Sequence, residues 1–363
     1  MVHELRSQEI EDIAVGAAIL GSGGGGDPFI GKLMAVQAIA EHGPVQLVTP
    51  DELPADGLAV PVAMMGAPTV VVEKIPNGQE IGRAFAALSS FLGQEVVGIV
   101  PIEAGGLNSM LPLALASALG IPAIDLDGMG RAFPELQMVT FHLGGISATP
   151  MVIVDEKGNQ CLLETIDNLW TERLARALTV QMGGSAMIAL YPMTVRQAAQ
   201  YGIQGTITLA ERLGRALREA RQTNRSPIDR LLEVAHGFRL FTGKVTDVLR
   251  RTTGGFVRGD VRIEGLDSCR DYTLTIAFQN ENLVASVDGQ VIASVPDLIV
   301  VLDAETGRPI TTEALHYGLR VAVVGFPCAE QWRTPASLEV CGPRYFGYDV
   351  DYKPIEEVDL PWA

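Results

Sequence analysis

The residues of this sequence best equipped for chemistry are acidic and sit where apolar runs end. Glu103 follows VVGIVPI and precedes Ala104-Gly105-Gly106, and Asn108 and Ser109 open the next segment. Asp125 and Asp127 close IPAIDLD, where a two-residue period places both carboxylates on one face of a strand. Arg131 follows in GMGRAFPE, and His142 lies inside the apolar run VTFHLGG. Crowded carboxylates raise one another's pKa or hold a cation, and either property serves hydrolysis. Glu103 and Asp127 are therefore the expected catalytic acids or bases. Asp125, Asp127 and His142 are the expected ligands of a divalent, zinc-like metal, although no His-x-His or His-Glu-x-x-His spacing accompanies them. The competing structural reading has Asp127 capping its own turn, Arg131 paired with Glu135, and His142 hydrogen-bonded in a core.

A second concentration of unusual residues is GSGGGGDP at 21–28, five glycines in six positions followed by an acid and a proline. Glycine loses more backbone freedom on folding than any other residue, so a run of five needs a reason. Gly21-x-Gly23-x-x-Gly26 satisfies the dinucleotide expression, but it follows a helix-like segment rather than a strand. A Walker loop would end in Lys-Ser or Lys-Thr; here Asp27 repels phosphate and Pro28 has no N–H to donate. No nucleotide is expected. The amides of Gly23, Gly24, Gly25 and Gly26 are instead read as facing a ligand or a developing anion at a helix N-terminus. Among the four cysteines, Cys328 and Cys341 lie near glycines and arginines and are the better thiol nucleophile candidates, against the ordinary reading of small buried residues.

These residues need a layered scaffold. Residues 8–20 carry apolar positions at helical spacing, and Pro28 with Asp27 before it starts a second helix that stops at His42-Gly43-Pro44. VQLVT, LAVPVAMMG, EVVGIVPIEAGG and IPAIDLDG read as buried strands, with helices ending near Gly93 and Gly120 between them. Strands alternating with helices predict an α/β N-terminal domain with a mainly parallel sheet, over 1–167. MVTFHLGG at 138–145 reads as β, and 151–165 as a hairpin across Lys157-Gly158-Asn159. The remainder, 168–363, is expected to be an α+β domain: helical over 168–236, β-rich over 237–345, then an aromatic strap. Its strands include FRLFTGKVTDV, YTLTIAFQN, NLVASVDGQVIASVPDLIVVLD and GLRVAVVGF, separated by turn signals.

The formal charge of 27 − 43 = −16 argues against nucleic acid or an anionic membrane as partner. No apolar run reaches the roughly 18 residues of a membrane span, and no signal-type leader opens the sequence. With scattered cysteines and no Cys-x-x-Cys pair, a cytoplasmic protein is expected; a symmetric homo-oligomer is the common case for such chains.

Taken together, GSGGGGDP, PIEAGGLNS, DLDGMGRAFPE, MIALYPMT, FTGKV and CGPRYFGYDVDYKPI resemble the S-methyl thiohydantoin desulfurase family over about residues 8–357. The resemblance implies cleavage of a carbon–sulfur bond in a small S-methylated cyclic amide, giving hydantoin and methanethiol. On that premise Glu103 or Asp127 activates water, directly or through the metal. The glycine amides hold the ring carbonyl or the adduct's charge, and Asn108 and Arg131 bind the ring. The alternative is a non-catalytic accessory subunit that binds a cyclic amide for a hydantoinase- or oxoprolinase-type partner.

Overall fold

The computed structural model describes residues 3–67, 70, 74, 77–360 and 362. The parallel layer predicted from strand–helix alternation is formed by four neighbouring strands, Val45–Val48, Ala123–Ile124, Val96–Pro101 and Leu58–Gly66. Antiparallel strands extend it on both sides to nine: His3–Leu5 beyond Val45–Val48, and Ser185–Ala189, Met151–Val154 and Gln160–Leu163 beyond Leu58–Gly66, on which Met193–Thr194 also pairs. The buried runs VVGIVP and PVAMM are apolar on both faces because helices cover them, as parallel strands require.

Local chemistry sets the helix ends. The Asp27 carboxylate accepts from the Phe29 amide at 2.7 Å, so the helix Pro28–His42 begins where Asp-Pro predicts. Helices Glu80–Leu92 and Met110–Leu119 end at Gly93 and Gly120, both left-handed. Helix Ser7–Leu20 packs on Thr206–Gln222 at close range. A Cβ on Gly16 would strike the Ala210 backbone, and one on Gly214 the Asp12 backbone, so two mid-helix glycines permit the contact.

One expectation changes. The run 138–145 is not a strand: Thr140–Leu143 forms a short helix, started by the Thr140 amide and hydroxyl donating to Gly128 O at 2.7 and 3.1 Å. The first sheet also takes in chain from beyond residue 168, because Ser185–Ala189 lies between Leu58–Gly66 and Met151–Val154. Beyond Phe238 the predicted β-rich region is one antiparallel sheet of seven strands, from Gln290–Ser294 at one edge to Leu298–Asp303 at the other. It has its own apolar core around Val261, Ile263, Ile276 and Val323. Among the described residues, no helix is long and apolar enough to cross a membrane.

Candidate active site

The chain leaves the strand Val96–Pro101 at Ile102-Glu103, beyond the carboxyl edge of the parallel strands, where open α/β sheets bind ligands. Asn108 pins this segment to the neighbouring strand. Its side-chain oxygen accepts from the Met64 amide at 2.8 Å, and its Nδ2 donates to Met64 O at 3.1 Å and to Glu103 Oε1 at 2.8 Å. Glu103 Oε2 accepts from the Phe133 amide at 3.3 Å. The Glu103 carboxyl is buried, and burial raises its pKa to about 7 despite those two donors; Asp127 adds to the rise and Arg131 opposes it.

The glycine loop lies directly above. Gly25 and Gly105 touch backbone to backbone, so closely that a Cβ on Gly25 would fall 2.5 Å from Gly105 Cα. Gly25 O accepts from the Leu107 amide at 2.9 Å. On its other side the loop is stitched to the seven-stranded sheet: Asn282 N donates to Ser22 O at 2.8 Å, and Thr312 N to Gly23 O at 2.9 Å. The Ser22 hydroxyl donates to Ile299 O and accepts from Ile299 N, both at 2.9 Å. Gly24 carries no Cβ because the Glu281 carboxylate occupies that space. The amides of Gly23, Gly25 and Gly26 donate to no acceptor among the described residues.

This seam encloses a cleft with about 60 Å³ of solvent-sized space, room for a few waters. Gly25, Met64, Glu103 and Asn108 line it from the first sheet's side, and Asn280 and Glu281 from the seven-stranded sheet. Arg176 and Glu135 also line it. Arg176 is held by Glu172 Oε1 at 2.7 Å and Pro134 O at 2.8 Å, with its guanidinium 4.4 Å from the Phe256 ring centre. The Tyr345 hydroxyl of the C-terminal strap donates to Glu135 at 2.7 Å.

Glu281 was not among the residues the sequence singled out. Gln279, Asn280, Glu281 and Asn282 are four consecutive buried polar residues at the junction of two strands. The junction has no glycine or proline, and Asn280 makes the turn at a φ of +58°. Four consecutive polar residues, all buried between apolar strands, is the signal that would have found it. Glu281 Oε2 is buried without a hydrogen-bond partner among the described residues. Its pKa lies well above the carboxylate range, raised by burial and by Glu103, with Arg131 and Arg176 opposing.

Other expected site residues lie elsewhere. Asp127 is buried but absent from the cleft wall: its Oδ1 accepts from the Met129 and Gly130 amides at 2.6 and 2.5 Å, capping the turn. Burial raises its pKa to about 7 against those donors. Asp125 does not share its face. The strand is interrupted there, and Asp125 caps the helix Thr206–Gln222 through the Ile207 and Thr208 amides at 2.9 and 3.1 Å. His142, carried away by the short helix, meets Asn168 Nδ2 at 3.0 Å through Nδ1. Asp125 caps a helix, Asp127 caps a turn through Oδ1, and His142 pairs with Asn168 through Nδ1, so the three are not gathered round a common centre and do not fit a metal. Among the described residues no group of three or more His, Cys, Asp or Glu side chains is placed to hold one.

Arg131 does not anchor a ring from the cleft wall. It is fully buried, and its guanidinium donates to the carbonyls of Ala132, Asn282, Pro296 and Asp297, tying the two sheets together behind the carboxylates. Of the four loop glycines, Gly25 lines the cleft, while Gly23 and Gly24 lie against Asn282 and Glu281. Cys328 and Cys341 are buried, which pushes the Cys328 thiol up to about 12 and the Cys341 thiol up as well, so neither is an activated nucleophile.

Comparison with known proteins bears on this architecture. A family model described as the S-Me-THD-like N-terminal domain matches residues 8–165, and one described as the S-Me-THD-like C-terminal domain matches residues 166–355. A crystal structure of a protein from Chromobacterium violaceum is similar in fold, with a TM-score of 0.80 and 24% identity over 97% of this chain and 100% of that one. None of the curated proteins matches the chain.

Proposed function

Because the chain belongs to the S-Me-THD-like family, we propose that its cleft hydrolyses the carbon–sulfur bond of a small S-methylated thiohydantoin, giving hydantoin and methanethiol. The observation that carries the reading is Glu103: a buried carboxyl with a pKa of about 7, lining a cleft with room for water and held in place by Asn108. A base tuned to neutral pH is what activating water demands. The thioimidate carbon accepts the water oxygen while the Glu103 carboxylate takes the water's proton. Negative charge developing on the ring faces the Gly25 amide, which has no acceptor of its own among the described residues. The methylthio group leaves as methanethiol once the tetrahedral adduct collapses and the sulfur gains a proton.

The test is methanethiol release from S-methyl thiohydantoin by the purified protein alone. The base must be ionised, so kcat/KM should rise as pH passes upward through about 7, the pKa of Glu103. Glu103→Gln should lower kcat by about 10²–10⁴-fold while leaving the fold intact, since the glutamine oxygen can still accept from Asn108. No release by the wild type, or release undiminished in Glu103→Gln, would overturn the reading.

A further inference from the structure

A general base explains one proton transfer, whereas this hydrolysis needs two: one away from water, one toward the ring nitrogen as the C=N bond is lost. The cleft holds a second carboxyl that the first sheet does not supply. Glu281 enters from the seven-stranded sheet, lines the same cleft as Glu103, and is only 2% exposed. Its Oε2 has no hydrogen-bond partner among the described residues, and its side chain rests against Gly24, the one loop position where any Cβ would displace it. An unpaired buried carboxylate is strongly destabilised when charged, and the protonated acid is the stabler form.

The charged groups around it support that assignment. Glu103 faces it across the cleft, with Asp127 behind Glu103 and Glu135 at the cleft wall, all acidic. The cations are Arg131 and Arg176, and both are engaged. Arg131 directs its donors to four backbone carbonyls, and Arg176 donates to Glu172 and Pro134 O. Two buried carboxylates facing each other across one small cleft repel each other too strongly for both to ionise. The better-stabilised partner, Glu103, accepts from Asn108 and from the Phe133 amide and ionises first; Glu281, whose Oε2 has no partner and which has only its own backbone amide as a donor among the described residues, keeps its proton.

We propose that Glu281 is a second catalytic residue, an acid that works opposite the Glu103 base on the two sides of the ring carbon. The proposal rests on the hydrolytic reading above. In the first step the water oxygen bonds to the ring carbon, the water's proton passes to Glu103, and the C=N electron pair takes the proton of Glu281. In the second step the adduct's hydroxyl returns a proton to the Glu281 carboxylate as the C=O bond forms. The C–S bond breaks, and the departing sulfur takes the proton held by Glu103. Both glutamates finish as they began, and the sum is water consumed and methanethiol released. The site therefore selects ligands whose ring carries a nitrogen that accepts a proton, which the S-methylated ring has.

Two measurements on the full-length protein test this. Infrared difference spectra between wild type and Glu281→Gln at pH 7 should show one carboxylic-acid carbonyl band present in the wild type and missing in the variant. In turnover, Glu281→Gln should lower kcat by about 10²–10⁴-fold with KM changed less than about threefold, and should lose the alkaline fall of the wild-type pH–rate profile. A carboxylic-acid band unchanged in Glu281→Gln, or an alkaline limb retained in it, overturns the proposal. If Glu281→Gln does not fold, Glu281→Asp replaces it: the band should persist, shifted, with slower turnover. A band and rate identical to wild type would overturn the assignment. A wild type that releases no methanethiol refutes the hydrolytic reading, while the infrared measurement still decides which glutamate holds the proton.

Discussion

A methyl group at Gly24 would occupy space held by the Glu281 carboxylate, whereas one at Gly26 meets only the Leu107 side chain, at 3.3 Å. Gly26 has a φ of +78°, so alanine there costs roughly 1–2 kcal/mol of backbone strain without touching the cleft. Gly24→Ala should therefore depress methanethiol release strongly at temperatures where the protein stays folded, and Gly26→Ala should lower the melting temperature with little loss of kcat. Comparing kcat with melting temperature for the two variants checks this; equal loss of activity would mean the loop acts as one unit. At this scale the sequence exposed Glu103 and Asn108, because a lone acid after an apolar strand is visible without knowing the fold. It hid Glu281, which falls between two expected strands 178 positions after Glu103. It also misdirected Arg131, whose charge suggested a ligand but whose partners are backbone carbonyls from the distant segment Asn282–Asp297.

Elements with strong end signals matched their expectations closely: Asp27-Pro28, Gly93 and Gly120 each mark a helix boundary through a hydrogen bond or a left-handed residue. The short segment 123–127 was harder, because tertiary partners decide it. Ala123–Ile124 joins the nine-stranded sheet, Leu126–Asp127 pairs with Ile203–Gln204, and Asp125 between them turns to the helix Thr206–Gln222. A two-residue period assumes one continuous strand, and this one changes partner in the middle. Asp125→Ala should accordingly behave as a lost helix cap, costing about 1–2 kcal/mol of stability, with kcat kept at 25 °C. Loss of activity in the folded variant, restored by added zinc, would return Asp125 to the role of metal ligand.

For the whole molecule, the two family models meet at 165/166, yet the first sheet reaches past that point to collect Ser185–Ala189 and Met193–Thr194. A fragment of residues 1–167 would lack the strand between Leu58–Gly66 and Met151–Val154 and expose two unpaired edges, a setting for aggregation. A fragment of residues 1–236 keeps every strand of that sheet. Because Leu298, Val300, Val324 and Trp332 complete the core of the first sheet, both fragments uncover apolar surface; we expect the longer one to keep more native β signal by circular dichroism than the shorter, and the reverse order would contradict the strand order of the first sheet.

The same strand order has a consequence for synthesis on the ribosome. Chains fold from the N-terminus as they emerge, but here the hairpin at 151–163 must wait, unjoined, until residue 189 has left the exit tunnel. Glu281 emerges later still, 178 positions after Glu103. For that interval the chain has Glu103 without the carboxyl proposed to work opposite it. Asn282 and Thr312, which close the glycine seam, both belong to this late-emerging part of the chain, and the strand Arg320–Phe326 that joins their sheet emerges later still; on the proposed function, a nascent chain lacking them has no complete cleft.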